Sequence, residues 1–488
     1  MNERATPPVR ELPWLIQGGM GIAISHWPLA RSVAMTGQLG VVSGTAIDSV
    51  FVRRLQDQGV DVELRAILDR FPSQTVVHEV LAKYASMKRA PKAPYRAVPM
   101  LTHRYLQSSQ DLLVLASFVE VALAKSGHDG IVGINLLTKV QLPTVPSLYG
   151  AMLAGVDYVL MGAGIPANIP GILDRLAIGE RIDSALEIEG ATKSDRVPTL
   201  RFNPADFNEP RELKRPNFLA IVSSHVLANA LIRRSSGTVN GFVVESPVAG
   251  GHNAPPRGAL LLDANNDPIY GERDQVDFDV MRSTGVPFWL AGGITTPSSV
   301  RHALSVGATG VQVGTLFAYC RESGMEPALR AKVIAEVRED HVHVRTSTRA
   351  SSTGYPFKVA EIEGTLSESD IYEQRQRRCD LGYLREAYMK PDGSAGYRCP
   401  SEPVDAFVSK GGSLEDTVER TCLCNALMAT AGFGQIRRKS PDESAIVTSG
   451  DCINDIAPLL VGRDDYSASD VIDFLQMGLV AADAVAPR

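Results

Sequence analysis

Short apolar runs recur along the chain between Gly, Pro and Ser punctuation, and longer stretches with helical periodicity separate them. That alternation predicts strand-then-helix units and a parallel sheet, because parallel strands need crossover connections and are buried on both faces. The runs are Trp14 to Gln17, Gly40 to Ser43, Ile131 to Leu136, Tyr158 to Met161, Phe218 to Ser223, Gly241 to Glu245, Phe288 to Ala291 and Gly310 to Val313. Eight parallel strands can close on themselves, and the reactive face of such a cylinder is built from the loops at the strands' C-terminal ends.

The predicted fold class is therefore α/β, a (β/α)8 TIM barrel with helical insertions and a C-terminal extension. The 488 residues exceed one ordinary barrel of about 250 residues, so the simplest division is a barrel over 1–330 and an extension over 331–488. Two segments interrupt the rhythm within the barrel. Residues 47–126 read as mainly helical and polar, with a proline-rich knot from Pro91 to Pro99, and residues 171–216 are charged. Either is long enough to cover the barrel mouth, as is the extension, whose Gly-rich turns and Tyr355-Pro-Phe357 suit a covering layer. Arg375, Arg377 and Arg378 read as a solvated helix face.

Composition narrows the chemistry. Hydrophobic residues make up 44% and charged residues 21%, ordinary globular usage that argues against disorder. With 49 Lys plus Arg against 55 Asp plus Glu, the chain offers no broad attraction for nucleic acid or anionic lipid, so small-molecule chemistry is expected. Met1 to Arg10 lacks the apolar region of a secretory signal, and no apolar run is long enough to span a bilayer, so a cytoplasmic location is expected. Of the six cysteines, Cys320 stands apart from Cys379, Cys399, Cys422, Cys424 and Cys452. Cys422-Leu-Cys424 lacks the usual zinc-knuckle spacing, so reduced thiols are expected and no metal.

The sharpest local signal is Phe288-Trp-Leu-Ala291-Gly292-Gly293-Ile-Thr-Thr-Pro297, followed through a helix by Gly310-Val-Gln312-Val-Gly314-Thr315. Gly292 and Gly293 permit positive φ and close approach of backbone to a ligand, and Thr296-Pro297 is a helix N-cap and first-turn pair. Backbone N–H groups of Gly292, Gly293, Gly314 and Thr315 would converge near a helix N-terminus, where an anion is favoured. The loops after strands seven and eight are the usual phosphate site of such barrels.

At the end of the sixth strand stands Glu245-Ser-Pro-Val-Ala-Gly250-Gly251-His252-Asn-Ala-Pro-Pro-Arg-Gly258. Gly250 and Gly251 leave room for a flat ring, and the neutral imidazole of His252 suits proton abstraction or hydrogen bonding to a developing oxyanion. Glu245 is open between orienting this loop and facing solvent. The first strand ends in Gln17-Gly18-Gly19-Met20-Gly21, where glycine backbone can lie along a planar heterocycle and the Met20 thioether can cover it. Asn135, at the end of the third strand, offers a donor and an acceptor to a polar ring edge. Gly162-Ala-Gly-Ile-Pro-Ala167 mimics a dinucleotide fingerprint, but Pro166 and Pro170 break the helix it needs, so it reads as a fourth-strand loop facing the ligand.

Gln17 to Gly21, Gly250-Gly-His252, Leu290-Ala-Gly-Gly-Ile294 and Gly310 to Thr315 together resemble the nitronate monooxygenase (2-nitropropane dioxygenase) family. The resemblance implies an FMN-containing barrel that oxidises alkyl nitronates with dioxygen, with flavin contacts from the first-strand loop, phosphate contacts at Gly292, Gly293, Gly314 and Thr315, and His252 as catalytic residue. Where the family commonly has Gly-Gly-His-x-Gly, this chain has Gly250-Gly-His-Asn-Ala-Pro-Pro-Arg-Gly258, so the pocket beside His252 is shaped differently. Ser352-Thr-Gly-Tyr-Pro-Phe-Lys-Val359 is similar to trans-acting enoyl reductases of polyketide and polyunsaturated fatty acid synthesis. That branch uses NADPH to reduce FMN and delivers hydride to an enoyl thioester.

The leading expectation is an FMN-dependent oxidoreductase that oxidises a small carbon acid or nitronate with dioxygen, with His252 as base or substrate contact. The alternatives are an NADPH-dependent enoyl reductase served by an acyl carrier protein, and a non-catalytic flavin-binding partner of a biosynthetic assembly. An inosine-monophosphate-dehydrogenase-like barrel is set aside, because it needs a mouth-loop cysteine and none precedes Cys320. Homodimerisation stays open.

Overall fold

A computed structural model describes residues 12–85, 88–192, 195–207, 212–340, 342–437 and 442–480. The stretch Met1 to Arg10, read above as lacking a secretory signal, lies outside them. Eight parallel strands form one sheet: β1 (Leu15–Gln17), β2 (Gly40–Ser43), β3 (Val132–Leu137), β4 (Tyr158–Gly162), β5 (Asn217–Val222), β6 (Gly241–Glu245), β7 (Phe288–Ala291) and β8 (Gly310–Val313). Each coincides with a predicted strand to within one residue at either end. The spatial order is β1-β8-β7-β6-β5-β4-β3-β2. A parallel bridge from Ile16 to Leu39 then joins β1 to the residue before β2, with Gln17 N–H donating to Leu39 O at 2.9 Å and Leu39 N–H to Leu15 O at 3.1 Å. The sheet is thus closed into a (β/α)8 barrel.

Alternation along each strand explains why the runs are mostly apolar. Ile16, Val41, Leu160, Leu219, Val243 and Trp289 fill the barrel interior, whereas Leu15, Val42, Val159, Phe218, Phe242 and Phe288 belong to the larger core between strands and helices. With both faces buried, no position is left for the polar half of an amphipathic strand. Trp289 closes the bottom of the interior, its indole N–H donating to Pro13 O at 2.7 Å.

The helices that follow the strands are α1 (Trp27–Ala34), α2 (Gln107–Ala124), α3 (Thr144–Leu153), α4 (Ile169–Ala177), α5 (His225–Arg234), α6 (Phe278–Ser283) and α7 (Pro297–Ser305). The eighth place is filled from far along the chain: α8 (Ala468–Val480) packs against α7 and α1. Gly478 permits this approach, since a Cβ there would meet Pro297 O at 2.5 Å.

The segment read as polar, 47–126, is so only in part. Its last helix, α2, is buried at every position from Ser109 to Ala124, because the helices Ile47–Gln58, Val62–Leu68 and Gln74–Tyr84 stack on it while α1 and α3 flank it. In the second interruption, the hairpin Ile182–Ala185 with Thr199–Phe202 packs Leu186 and Leu200 against Ala387 of a second hairpin, Glu386–Met389 with Ala395–Arg398.

The basic cluster departs from expectation at Arg375 and Arg377, while Arg378 is exposed as read. Arg375 follows the short helix Ser369–Gln374 and is no solvated face: its guanidinium pairs with Glu443 at 2.6 Å, with side chains only 6% and 2% exposed. Arg377 donates to Pro400 O at 3.1 Å and Thr417 O at 2.6 Å. Local sequence could not show this, because both the partner carboxylate and the carbonyls come from distant turns.

Candidate active site

The candidate flavin-contact and catalytic residues all line one cavity at the C-terminal ends of the strands: Gly18, Gly19, Met20, Gly21, Asn135, Gly250, Gly251, His252, Ala291, Gly292, Gly293, Gln312, Gly314 and Thr315. They come from the ends of β1, β3, β6, β7 and β8, which only barrel closure makes neighbours. Gly162, the last residue of β4, and Ala163 just after it line it too.

The loop after β1 is held by a small buried network. Ser25 Oγ accepts from Gln17 Nε2 at 2.7 Å and from Met20 N–H at 2.9 Å, and donates to Gly18 O at 2.8 Å. Gln17 Oε1 meanwhile accepts from Val41 N–H at 3.0 Å, so one glutamine ties the loop to β2. A Cβ on Gly19 would overlap that of Asn135, which explains the glycine: backbone and Asn135 form one wall.

Gly292 and Gly293 have φ of +85° and +71°, the left-handed region that side-chain-bearing residues rarely occupy. A Cβ on Gly292 would also strike Ser246 Oγ. The next helix, α7, starts as expected, with Thr296 Oγ1 accepting from Ser299 N–H at 3.2 Å and Pro297 in its first turn. Gln312 Oε1, at the cavity wall, is buried with no hydrogen-bond partner. A glycine cradle beside a helix start, a side-chain-free slot along β1 and an unsatisfied acceptor between them fit a planar, phosphorylated heterocycle such as FMN.

The residues after 331 take part directly. Gly251 N–H donates to Thr448 Oγ1 at 2.9 Å, Gly450 N–H to Thr315 Oγ1 at 3.1 Å, and Lys358 N–H to Gly251 O at 2.9 Å. His252 forms an antiparallel bridge with Phe357 of the strand Phe357–Ala360, and the two rings meet edge-on with centroids 4.9 Å apart. Leu384, Leu423, Leu427 and Phe357 add an apolar wall. Phe357 belongs to the stretch expected to cover the mouth; Leu384, Leu423, Leu427 and Thr448 were missed in the sequence, where nothing local marks them.

The titratable groups are all perturbed by burial. The His252 imidazole is lowered to about 3, first by desolvation and then by the nearby Lys139 charge, so it is neutral at physiological pH. Burial likewise lowers Lys139 to about 8 and pushes Glu245 up to about 7. Glu245 faces this cavity and an adjoining one lined by Arg257, Tyr270 and Tyr355; His252 borders both. Cys424 and Cys452 also line the main cavity, and burial holds both thiols above their ordinary range and hence protonated. Among the described residues no group of three His, Cys, Asp or Glu side chains could hold a metal ion.

Fold and site thus define the class, a closed (β/α)8 barrel with a ligand site across its C-terminal mouth. The particular resemblance follows from comparison with known proteins. The nitronate monooxygenase family model matches residues 193–359, which hold three of the four motifs behind the resemblance; the β1 loop lies outside it. A probable nitronate monooxygenase of Staphylococcus aureus strain MSSA476 is 25% identical over 208 residues, covering 41% of this chain and 57% of the relative. That of strain MRSA252 is 25% identical over 185 residues, 37% of this chain and 50% of the relative. The chain spans about half the length of these curated relatives. A nitroalkane oxidase from Streptomyces ansochromogenes superposes with a TM-score of 0.49 at 12% identity, covering 97% of this chain and 98% of that one. FabK from Thermotoga maritima gives 0.48 at 14% identity, covering 97% and 95%.

Proposed function

We propose that the chain is an FMN-dependent oxidoreductase of nitronate monooxygenase type that oxidises a preformed carbon anion, such as an alkyl nitronate, with dioxygen. The observation that carries this reading is the convergence, on one cavity, of glycine backbone from the ends of β1, β6, β7 and β8, which lines its walls with main chain in place of side chains. Gly18 to Gly21, Asn135, Gly250, Gly251, Ala291 and Gln312 would hold the ring system, and Gly292, Gly293, Gly314 and Thr315 its phosphate. Bound there, FMN supplies the electron acceptor; the protein orients and desolvates the reactants.

An imidazole held near 3 is too weak a base to deprotonate a carbon acid at neutral pH, which favours a substrate that arrives as an anion. His252 then serves as a neutral hydrogen-bonding contact to the substrate, and the Lys139 charge behind it attracts an anion. Phe357, Leu423 and Leu427 exclude water from the same space. That apolar wall also favours a second reading, in which NADPH is the electron donor and an enoyl thioester on an acyl carrier protein the acceptor.

The test begins with an absorbance spectrum of the purified protein and a titration with FMN. A preparation that neither carries nor binds FMN refutes both readings. Anaerobic mixing then separates them: bleaching by a nitronate but not by NADPH supports the first, and rapid bleaching by NADPH supports the second.

A further inference from the structure

Ser351, fully buried in the turn before the strand Phe357–Ala360, places its Oγ 2.6 Å from His252 Nε2. The same Oγ lies 2.8 Å from Thr353 Oγ1, which in turn lies 3.2 Å from Lys139 Nζ in the loop after β3. The Lys139 ammonium sits over the Tyr355 ring, 3.7 Å from its centroid. An unbroken line of polar atoms therefore runs from a cation on one mouth loop, through two hydroxyls of the extension, to the imidazole on another mouth loop.

Donor and acceptor chemistry fixes the direction of that line. A lysine ammonium has donors and no acceptor, so Thr353 Oγ1 accepts from it. Ser351 Oγ already accepts from Thr353 N–H at 3.2 Å. If Thr353 O–H donates to Ser351 and Ser351 O–H donates to His252 Nε2, every hydroxyl proton finds an acceptor and both O–H dipoles point away from the positive charge. The reverse order would turn both dipoles towards the ammonium and leave the Thr353 proton without a place in the chain. Hydrogen bonding at one imidazole nitrogen decides where the ring proton resides.

We propose that Lys139, Thr353 and Ser351 form a directed hydrogen-bond chain that fixes His252 as the neutral Nδ1–H tautomer. The three are positioning residues: they act through His252. Nε2 is occupied as an acceptor by Ser351, and Nδ1–H is left as the ring's single donor. The inference deepens the reading of His252 as a hydrogen-bonding contact, yet rests only on the chain's own atoms and is testable without flavin. It also makes the residues after 331 part of the reactive apparatus, since two of the three links come from them.

Nitrogen NMR of the full chain labelled at histidine tests it, with the His252 signals assigned by their loss in His252→Gln. In the wild type at neutral pH, Nδ1 should show the shift of a protonated nitrogen and Nε2 that of an unprotonated one. Thr353→Val and Lys139→Met should move the ring towards the Nε2–H form that free imidazole prefers, and Thr353→Ser should restore the wild-type pattern. A wild-type His252 protonated at Nε2 overturns the proposal. So does an Nδ1–H pattern unmoved by both Thr353→Val and Lys139→Met. Ser351→Ala adds a third arm where it folds; Thr353, only half-buried, carries the test where it does not. Failure to bind FMN would leave these readouts untouched and would refute the functional reading alone.

Discussion

Replacing Glu245 by Gln isolates the energy stored in one carboxyl at the mouth of the barrel. Burial pushes this group from an ordinary 4.5 to about 7 in the folded chain. Below 4.5 both the folded and unfolded states carry the proton, and ionisation contributes nothing. As pH rises from 4.5 towards 7, the unfolded chain ionises first, so the folded state loses stability relative to it. Above 7 both are ionised and the penalty is complete, amounting to about 3 kcal/mol from the difference between the two values. Glu245→Gln removes the ionisation while keeping the shape. Urea denaturation of flavin-free protein should therefore show the variant about 3 kcal/mol more stable than wild type well above pH 7, and the two alike below 4.5. A stability difference that does not change with pH would refute the reasoning, because packing or hydrogen bonding, not ionisation, would then separate the two proteins.

His252 carries the opposite sign. Its folded value is lowered from 6.5 to about 3, so wild-type stability is fully present above 6.5 and declines as pH falls through that interval; His252→Gln should lack this decline in the same acid titration. Gly292→Ala forces a side chain into the left-handed region, at about 1–2 kcal/mol, and against Ser246 Oγ, so the cradle must move. FMN affinity should drop about 5- to 30-fold in a fluorescence titration, and unchanged affinity would show that the cradle is not used. Arg375→Met leaves the Glu443 carboxylate with Arg437 at 3.3 Å as its ion-pair partner among the described residues, and should cost about 3 kcal/mol in denaturant unfolding.

Much of this protein was legible along the chain, for a reason visible in β6 and β7. A barrel strand is buried on both faces, so Gly241 to Glu245 and Phe288 to Ala291 stand out as apolar runs whatever surrounds them, and glycines follow where backbone lines the mouth. Those signals are local, and all the residues they marked meet in one cavity. The polarity of 47–126 was misjudged at α2, because burial on all sides by neighbouring helices leaves no stripe to read.

What lay beyond the sequence is everything that depends on which distant segments meet. The eighth helix of the ring comes from Ala468–Val480, and only its packing on α7 and α1 assigns it that place. The surroundings of His252 turned on Lys139 and on Ser351, which stand 113 residues before it and 99 after it; burial and a neighbouring charge lower its pKa, and neither has a signature in local composition. Local pattern determined the elements and the glycine-lined ligand slot, because backbone sterics act over a few residues. Tertiary structure alone decided the electrostatics, because solvent exclusion and charge proximity arise only when remote parts of the chain are packed together.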